Sequence, residues 1–259
     1  MATREEPIAI DVDGHQIVGT FTVPNTLVPG VLFVHGWGGS QRQYVNRARD
    51  IAEIGCICLT FDLRGHESTR DQFETVSREQ NLRDVVAAFD LLAAHPGVDA
   101  SAMAVVGSSY GGYLAAILAS LRRVKWLALR VPALYKDVDW NTPKRQLKTQ
   151  QDLDAYRRLR VQPQESRALA ACAQFAGDAL MVESEHDDIV PHQVIVNYLE
   201  ALTRAHSVTY RVMEGADHGL STDAMQVAYT SLLVDWFREA LSKSTVVPSA
   251  SLRTAEPAH

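Results

Sequence analysis

The five residues Gly107-Ser108-Ser109-Tyr110-Gly111 constrain this chain more than any other segment. They follow an apolar run at 102–106 and lead into a small-residue, helix-like stretch at 113–120. G-x-S-x-G between a strand and a helix is the pattern of a nucleophile elbow. A serine at the tip of so sharp a turn sits in a strained backbone region, and bulky neighbours would clash there. The strain lifts its hydroxyl out of the sheet edge, where a substrate can reach it. The glycine frame selects Ser109 as the candidate nucleophile rather than its neighbour Ser108. The competing reading is an ordinary tight turn with an idle serine.

The rest of the chain supplies the scaffold that such an elbow needs. Two early segments, 8–12 and 16–23, flank Asp13-Gly14 and predict a β-hairpin. Residues 24–30 read as a loop. Strand-like and helix-like segments then alternate: strands at 31–35, 56–62, 102–107, 126–131, 178–183 and 208–213, and helices at 43–54, 81–95, 193–205 and 223–241. Apolar strands that do not alternate, separated by helices, predict a mostly parallel α/β sheet covered on both faces. Right-handed crossovers place the strand C-terminal ends along one edge, where ligands bind.

One stretch breaks the rhythm. Residues 132–164 are polar and charged, with Tyr135, Trp140 and Tyr156 interleaved, and exceed a simple connection. They read as a small lid-like insertion over the active edge, with a helix at 153–159. Residues 1–241 thus form a single domain, and the Ser/Ala/Pro-rich tail at 242–259 reads as disordered.

Composition excludes several function classes. At 259 residues with 46% hydrophobic content, the chain can bury a real core. A net charge of −6, spread along the chain, gives no footprint for nucleic acid or an anionic membrane. No stretch is long and apolar enough to span a bilayer, and the first residues lack the apolar core of a signal peptide, so a cytoplasmic location is expected. Cys56 and Cys58 share one strand face, and Cys172 stands apart. All three read as small core residues, and no second Cys/His pair has metal-ligand spacing.

A serine hydroxyl needs an imidazole to take its proton and a carboxylate to orient that imidazole. Of the histidines after Ser109, His218 lies in Gly215-Ala216-Asp217-His218-Gly219, just past the last predicted strand. His206 fits a helix end, His192 the first turn of a helix, and His259 the tail. The acid should follow the preceding strand, in Ser184-Glu185-His186-Asp187-Asp188. Asp187 is the first choice and Asp188 the second, because spacing cannot separate neighbours on a loop. The oxyanion calls for backbone N–H donors, assigned to Tyr110, after the nucleophile, and to Trp37, in His35-Gly36-Trp37-Gly38-Gly39.

These blocks, with Phe61-Asp62-Leu63-Arg64-Gly65-His66, make the chain resemble the α/β-hydrolase superfamily over residues 8–241. The elbow Gly107 to Tyr113 looks like that of prolyl-oligopeptidase-type peptidases. The compact size looks like dienelactone-hydrolase-like and cinnamoyl-esterase-like enzymes. The resemblance implies a Ser109-Asp187-His218 triad, no cofactor, and structural roles for Asp62, Arg64 and His66. Two positions depart from it: Glu67 and Ser184 stand where related sequences often have glycine.

Three functions follow as expectations. The first is a serine hydrolase of small carboxylic esters, with Trp37, Tyr135 and Trp140 shaping the acyl side. The second is an aminopeptidase or amidase using the same triad, with Asp137 or Asp139 receiving an amine. The third is a non-catalytic ligand-binding homologue. Oligomeric state is open.

Overall fold

Residues 4–23 and 28–245 are described by the computed structural model of the chain. β1 (Arg4–Val12) and β2 (His15–Val23) pair antiparallel as the expected hairpin. Asp13 and Gly14 both take positive φ, 53° and 74°, in the kind of turn whose twist matches its flanking strands. Beyond the hairpin come β3 (Val28–Val34), α1 (Arg42–Glu53), β4 (Ile57–Phe61), α2 (Arg78–Ala93), β5 (Val98–Ser108), α3 (Tyr110–Leu121) and β6 (Trp126–Arg130). The chain continues through the short α4 (Leu147–Gln150) and α5 (Leu153–Tyr156) into α6 (Arg167–Gln174), β7 (Asp178–His186), α7 (His192–Ala201), β8 (Ser207–Asp217) and α8 (Asp223–Thr245).

The strands form one sheet in the order β1-β2-β4-β3-β5-β6-β7-β8. β2 meets β4 antiparallel, and every pair from β4 to β8 is parallel. Successive side chains on a strand point to opposite faces, and the core divides accordingly. Met103 and Val105 of β5 join the core under α2, α3, α6 and α7, while Ala102, Ala104 and Val106 join the core under α1 and α8. Cys58 lies in the second core and Cys172 in the first; with Cys56 they are free and buried, and burial pushes the Cys56 and Cys172 thiols up to about 12. Among the described residues no helix is long and apolar enough to cross a membrane.

Local chemistry moves several expected boundaries. β3 starts at Val28, inside the segment read as a loop, because Val28 N–H bonds the Gly97 carbonyl (3.0 Å) and Val28 pairs with Val98; residues 24–27 lie outside the described ones. α2 starts at Arg78, not residue 81, because Ser77 and Gln80 form a capping box. α8 continues past residue 241 to Thr245, with Lys243 paired to Glu239 one turn back (2.7 Å). The expected disordered tail is therefore corrected for 242–245, and 246–259 lie outside the described residues. α6 was not anticipated; Ser166 caps it through a hydrogen bond from Leu169 N–H.

The 132–164 segment joins the first core through Leu134, Tyr135, Leu147, Leu153, Tyr156 and Val161. Buried Arg78 of α2 donates to the carbonyls of Lys136 and Val138, and Arg157 donates to those of Leu134 and Ile189. The helix expected at 153–159 ends at Tyr156. Asn197 of α7 donates to the Leu159 carbonyl (2.9 Å) and accepts from Val161 N–H (3.3 Å), which draws the chain out of helical register.

Candidate active site

β5 delivers Ser109 to the C-terminal rim of the sheet, and α3 begins at the next residue. Ser109 has φ 53° and ψ −119°, a region that non-glycine residues avoid. The turn is held by Ser109 N–H to the Arg130 carbonyl (2.9 Å) and Ala133 N–H to the Ser109 carbonyl (2.9 Å). Steric fit explains the glycines. A Cβ on Gly107 would lie 2.5 Å from the Gly111 carbonyl oxygen, and one on Gly111 would lie 2.5 Å from that of His35 and closer still to that of Val34.

Ser109 Oγ–H donates to His218 Nε2 at 3.0 Å. His218 Nδ1–H donates to Asp187 Oδ2 at 2.7 Å. The tautomer is assigned from this network, since a carboxylate only accepts. Asp187 Oδ1 accepts from the N–H groups of Ile189 (2.8 Å) and Val190 (2.7 Å). Burial by itself would raise the Asp187 carboxyl, but His218 and these two amides outweigh it and hold the group below the usual carboxylate value. Asp187 and His218 side chains are 3% and 17% exposed, whereas Asp188 faces solvent. Geometry thus separates the two aspartates. It also separates the two serines: Ser108 is turned away, toward Arg130 Nε (3.4 Å).

The segment Gly36 to Gly39 flanks the serine, for a Cβ on Gly36 would lie 3.4 Å from Ser109 Cβ. Two histidines fix this loop. His66 Nε2 accepts from Gly38 N–H (2.9 Å), and His35 Nε2 accepts from Leu63 N–H (3.0 Å). Both act through a bare nitrogen and are therefore neutral. Burial pushes His66 below the ordinary histidine value and His35 to about 3. His66 thus holds its loop by a neutral hydrogen bond. Asp62 accepts from Gln41 N–H (2.8 Å) and Nε2 (3.0 Å), and Arg64 clasps Asp84 (2.6 Å).

The neutral histidines carry a pH prediction. A buried His35 with its value lowered from 6.5 to about 3 takes up a proton more readily unfolded than folded. Its contribution to stability is complete above pH 6.5 and is lost as pH falls toward 3. Up to about 4–5 kcal/mol is at stake, an upper bound set by the size of the shift. Urea unfolding at a series of pH values should show this decline, and His35→Gln should flatten it from a lower starting stability.

Aromatic side chains surround the elbow. The Trp37 ring stacks on Phe73 (4.7 Å between centroids) and meets Tyr110 edge-on (5.6 Å). Tyr135 is buried edge-on against Tyr110 (5.8 Å) and Tyr113 (4.9 Å). Trp140 lies one ring farther out, stacked on Tyr113 (6.2 Å) with the Arg167 guanidinium 4.0 Å above it. Lys144 Nζ sits 4.7, 5.0 and 5.1 Å from the Trp37, Tyr110 and Tyr135 rings, a cation in an aromatic cage. Asp137 turns inward to accept from Arg167 N–H, and Asp139 is exposed.

Sequence reasoning passed over Arg130 and Lys144. Arg130 donates to the His218 carbonyl (2.8 Å) and to Ser184 Oγ (3.2 Å), which gives the departure at Ser184 a partner. The visible signal was a lone arginine closing the apolar run Trp126–Arg130 at the active rim. The other departure, Glu67, keeps a positive φ of 43°, the backbone that glycine would favour.

The fold is shared with solved structures of low sequence identity. A dienelactone hydrolase from Anabaena variabilis is 19% identical with a TM-score of 0.66, covering 92% of this chain and 98% of its own. Est1E from Butyrivibrio proteoclasticus, solved with ferulic acid, is 18% identical with a TM-score of 0.71, covering 91% and 99%. A 2,6-dihydroxy-pseudo-oxynicotine hydrolase is 19% identical with a TM-score of 0.70, covering 93% and 69%. No curated protein matches the sequence. Residues 42–244, well over half of the chain and including the elbow, Asp187 and His218, match the prolyl oligopeptidase family. The chain is an α/β-hydrolase-fold hydrolase and belongs to the prolyl oligopeptidase family.

Proposed function

We propose that this protein is a serine hydrolase that cleaves small carboxylic esters through an acyl-enzyme. The observation that carries the reading is the unbroken relay Ser109 Oγ, His218 Nε2, His218 Nδ1, Asp187 Oδ2, with spacings of 3.0 and 2.7 Å, mounted on a strained turn. Ser109 Oγ attacks the ester carbonyl as His218 takes its proton. Asp187 keeps the ring in the accepting tautomer and stabilises the imidazolium. The tetrahedral oxyanion is received by the N–H groups of Tyr110, at the start of α3, and Trp37, in the loop beside Ser109. His218 returns the proton to the leaving alcohol, and water repeats the sequence to release the acid. The chemistry calls for no cofactor. Trp37 and Tyr135, both against Tyr110, wall the acyl side, and Trp140 extends that wall through Tyr113.

The family match favours a second reading, an aminopeptidase or amidase with the same three residues. The ester reading is preferred because Asp137 and the rings beside the elbow are committed to other partners. Asp137 is bonded to the Arg167 N–H at the start of α6, and the rings beside the elbow already hold the Lys144 cation. A protonated amine brought there would meet like charge.

A fluorophosphonate probe should label the wild type once per chain, and Ser109→Ala should remove the label. Comparing p-nitrophenyl acetate with alanine p-nitroanilide then decides between the readings. Faster turnover of the anilide would overturn the ester assignment. Failure to label or to turn over either compound would leave the non-catalytic homologue.

A further inference from the structure

Behind the Ser109 turn, between α1, α8 and the C-terminal ends of β5 and β6, lies a chamber of about 60 Å³. Its lining includes Arg47, Ser108, Arg130, Gly219 and Tyr229. Two of these side chains are guanidinium groups, each 6% exposed. Their Cζ atoms lie 5.2 Å (Arg47) and 5.6 Å (Arg130) from the Tyr229 ring centroid, so the two cations share one tyrosine.

Burying a cation is costly unless an opposite charge or a full set of acceptors compensates it. Here the protein acceptors are neutral: the Gln43 carbonyl for Arg47, and Ser108 Oγ, Ser184 Oγ and the His218 carbonyl for Arg130. Among the described residues neither guanidinium is in ion-pair contact with a carboxylate. Asp50 and Asp223 line the adjoining outer groove of about 320 Å³, not the chamber. Arg47 Nε–H is buried with no hydrogen-bond partner, and the buried Tyr229 hydroxyl interacts with that of Ser108. A small chamber lined by two guanidinium groups that face no carboxylate, one of them with an unused N–H donor, has the chemistry of an anion receptor. The outer groove shares Arg47 and Gln226 with it and offers a route in.

We propose that this chamber binds a small monovalent anion of halide size, held by Arg47 Nε–H, Tyr229 Oη–H and the Arg130 guanidinium. The anion also acts on the active site. Arg130 donates to the carbonyl of His218, so an anion that fixes Arg130 braces the loop that carries the imidazole. Arg130 is a positioning residue in this scheme and touches no reacting atom. The binding claim stands apart from the hydrolase reading, and only the effect on Ser109 rests on it.

Thermal melts of the full chain in sodium chloride and in sodium gluconate, at matched ionic strength, test the binding. Gluconate exceeds the chamber. Chloride at ten times its dissociation constant should raise the melting temperature by about 3–5 °C over gluconate. Arg47→Gln should abolish that difference, and Tyr229→Phe, which removes one hydroxyl, should raise the half-saturating chloride about tenfold while leaving the gluconate melt in place. Crystals soaked in sodium bromide should show an anomalous peak between Arg47, Arg130 and Tyr229. Equal wild-type melts in the two salts, an undiminished chloride response in both variants, or no bromide peak would each overturn the site and leave a water-filled chamber. Chloride should also speed fluorophosphonate labelling of Ser109 by several fold. Labelling at one rate in both salts would overturn the bracing of His218. No labelling in either salt would fall on the hydrolase reading, with the melts still deciding the anion site.

Discussion

His218→Ala is expected to lower kcat for ester hydrolysis by about 10⁴- to 10⁶-fold with little change in KM, because it removes the group that carries the proton in both half-reactions. The ring links Ser109 Oγ at 3.0 Å to the Asp187 carboxylate at 2.7 Å. Asp187→Asn is expected to cost about 10⁴-fold. Asp187 is held below the usual carboxylate value, so it is ionised at neutral pH and the substitution removes a real charge. An amide in its place could still accept the two backbone N–H groups, yet it could also present a donor to Nδ1 and turn the ring to the wrong tautomer. Steady-state kinetics on a p-nitrophenyl ester read both losses. A His218→Ala variant within tenfold of wild type would remove the imidazole from the mechanism. Asp188→Asn serves as the control, since that side chain faces solvent, and should leave kcat nearly unchanged.

Gly111→Ala is expected to be strongly damaging to both stability and activity. Its Cβ would press on two backbone oxygens, those of Val34 and His35, with the latter at 2.5 Å. Neither can move as a side-chain tip can. β3 is fixed between β4 and β5, and the His35 ring is tied to Leu63. The cost is roughly 3 kcal/mol or more, since a packed interior cannot admit the volume without shifting backbone. That corresponds to a melting temperature lower by about 6–12 °C for a domain of this size. Activity should fall more than stability predicts, because the displaced segment is the one that leads to Gly36 and Trp37 beside Ser109. Gly38→Ala gives the contrast. A Cβ there would meet nothing within 4 Å, so its cost is limited to the positive φ of 80°, about 1 kcal/mol. A melting curve for Gly111→Ala that overlays the wild type would refute this steric account of the elbow.

The elbow was legible in the sequence because its constraint is local. Gly107 and Gly111 frame a serine between an apolar strand and a helix, and the clashes that demand glycine arise within a few residues or against the adjacent strand. His218 was legible for a related reason, since a glycine-bounded histidine after the last strand must emerge at the same rim. The choice between Asp187 and Asp188 was not, because chain spacing cannot say which of two neighbours turns inward. The structure decides it through the amides of Ile189 and Val190, which seat Asp187 against His218.

Helix and strand limits shifted for comparable reasons. The capping box at Ser77 is a local signal and could have moved the start of α2 by inspection. The end of α5 could not be read, because the side chain that interrupts it, Asn197, lies 38 residues from the carbonyl it binds. The same holds for Arg130, 88 residues from the His218 carbonyl, and for the aromatic cage around Lys144.

Apolar periodicity and the glycine-framed serine by themselves determined a mostly parallel α/β sheet with Ser109 and His218 at its active rim, because both depend on the short-range sterics and alternation of the backbone. Only the tertiary structure decided which aspartate orients His218, how neutral His66 pins the Trp37 loop, and that Arg47 and Arg130 meet behind the serine. Those are contacts between segments distant in the chain, and their energies depend on burial and direction, quantities that exist only after the sheet has closed.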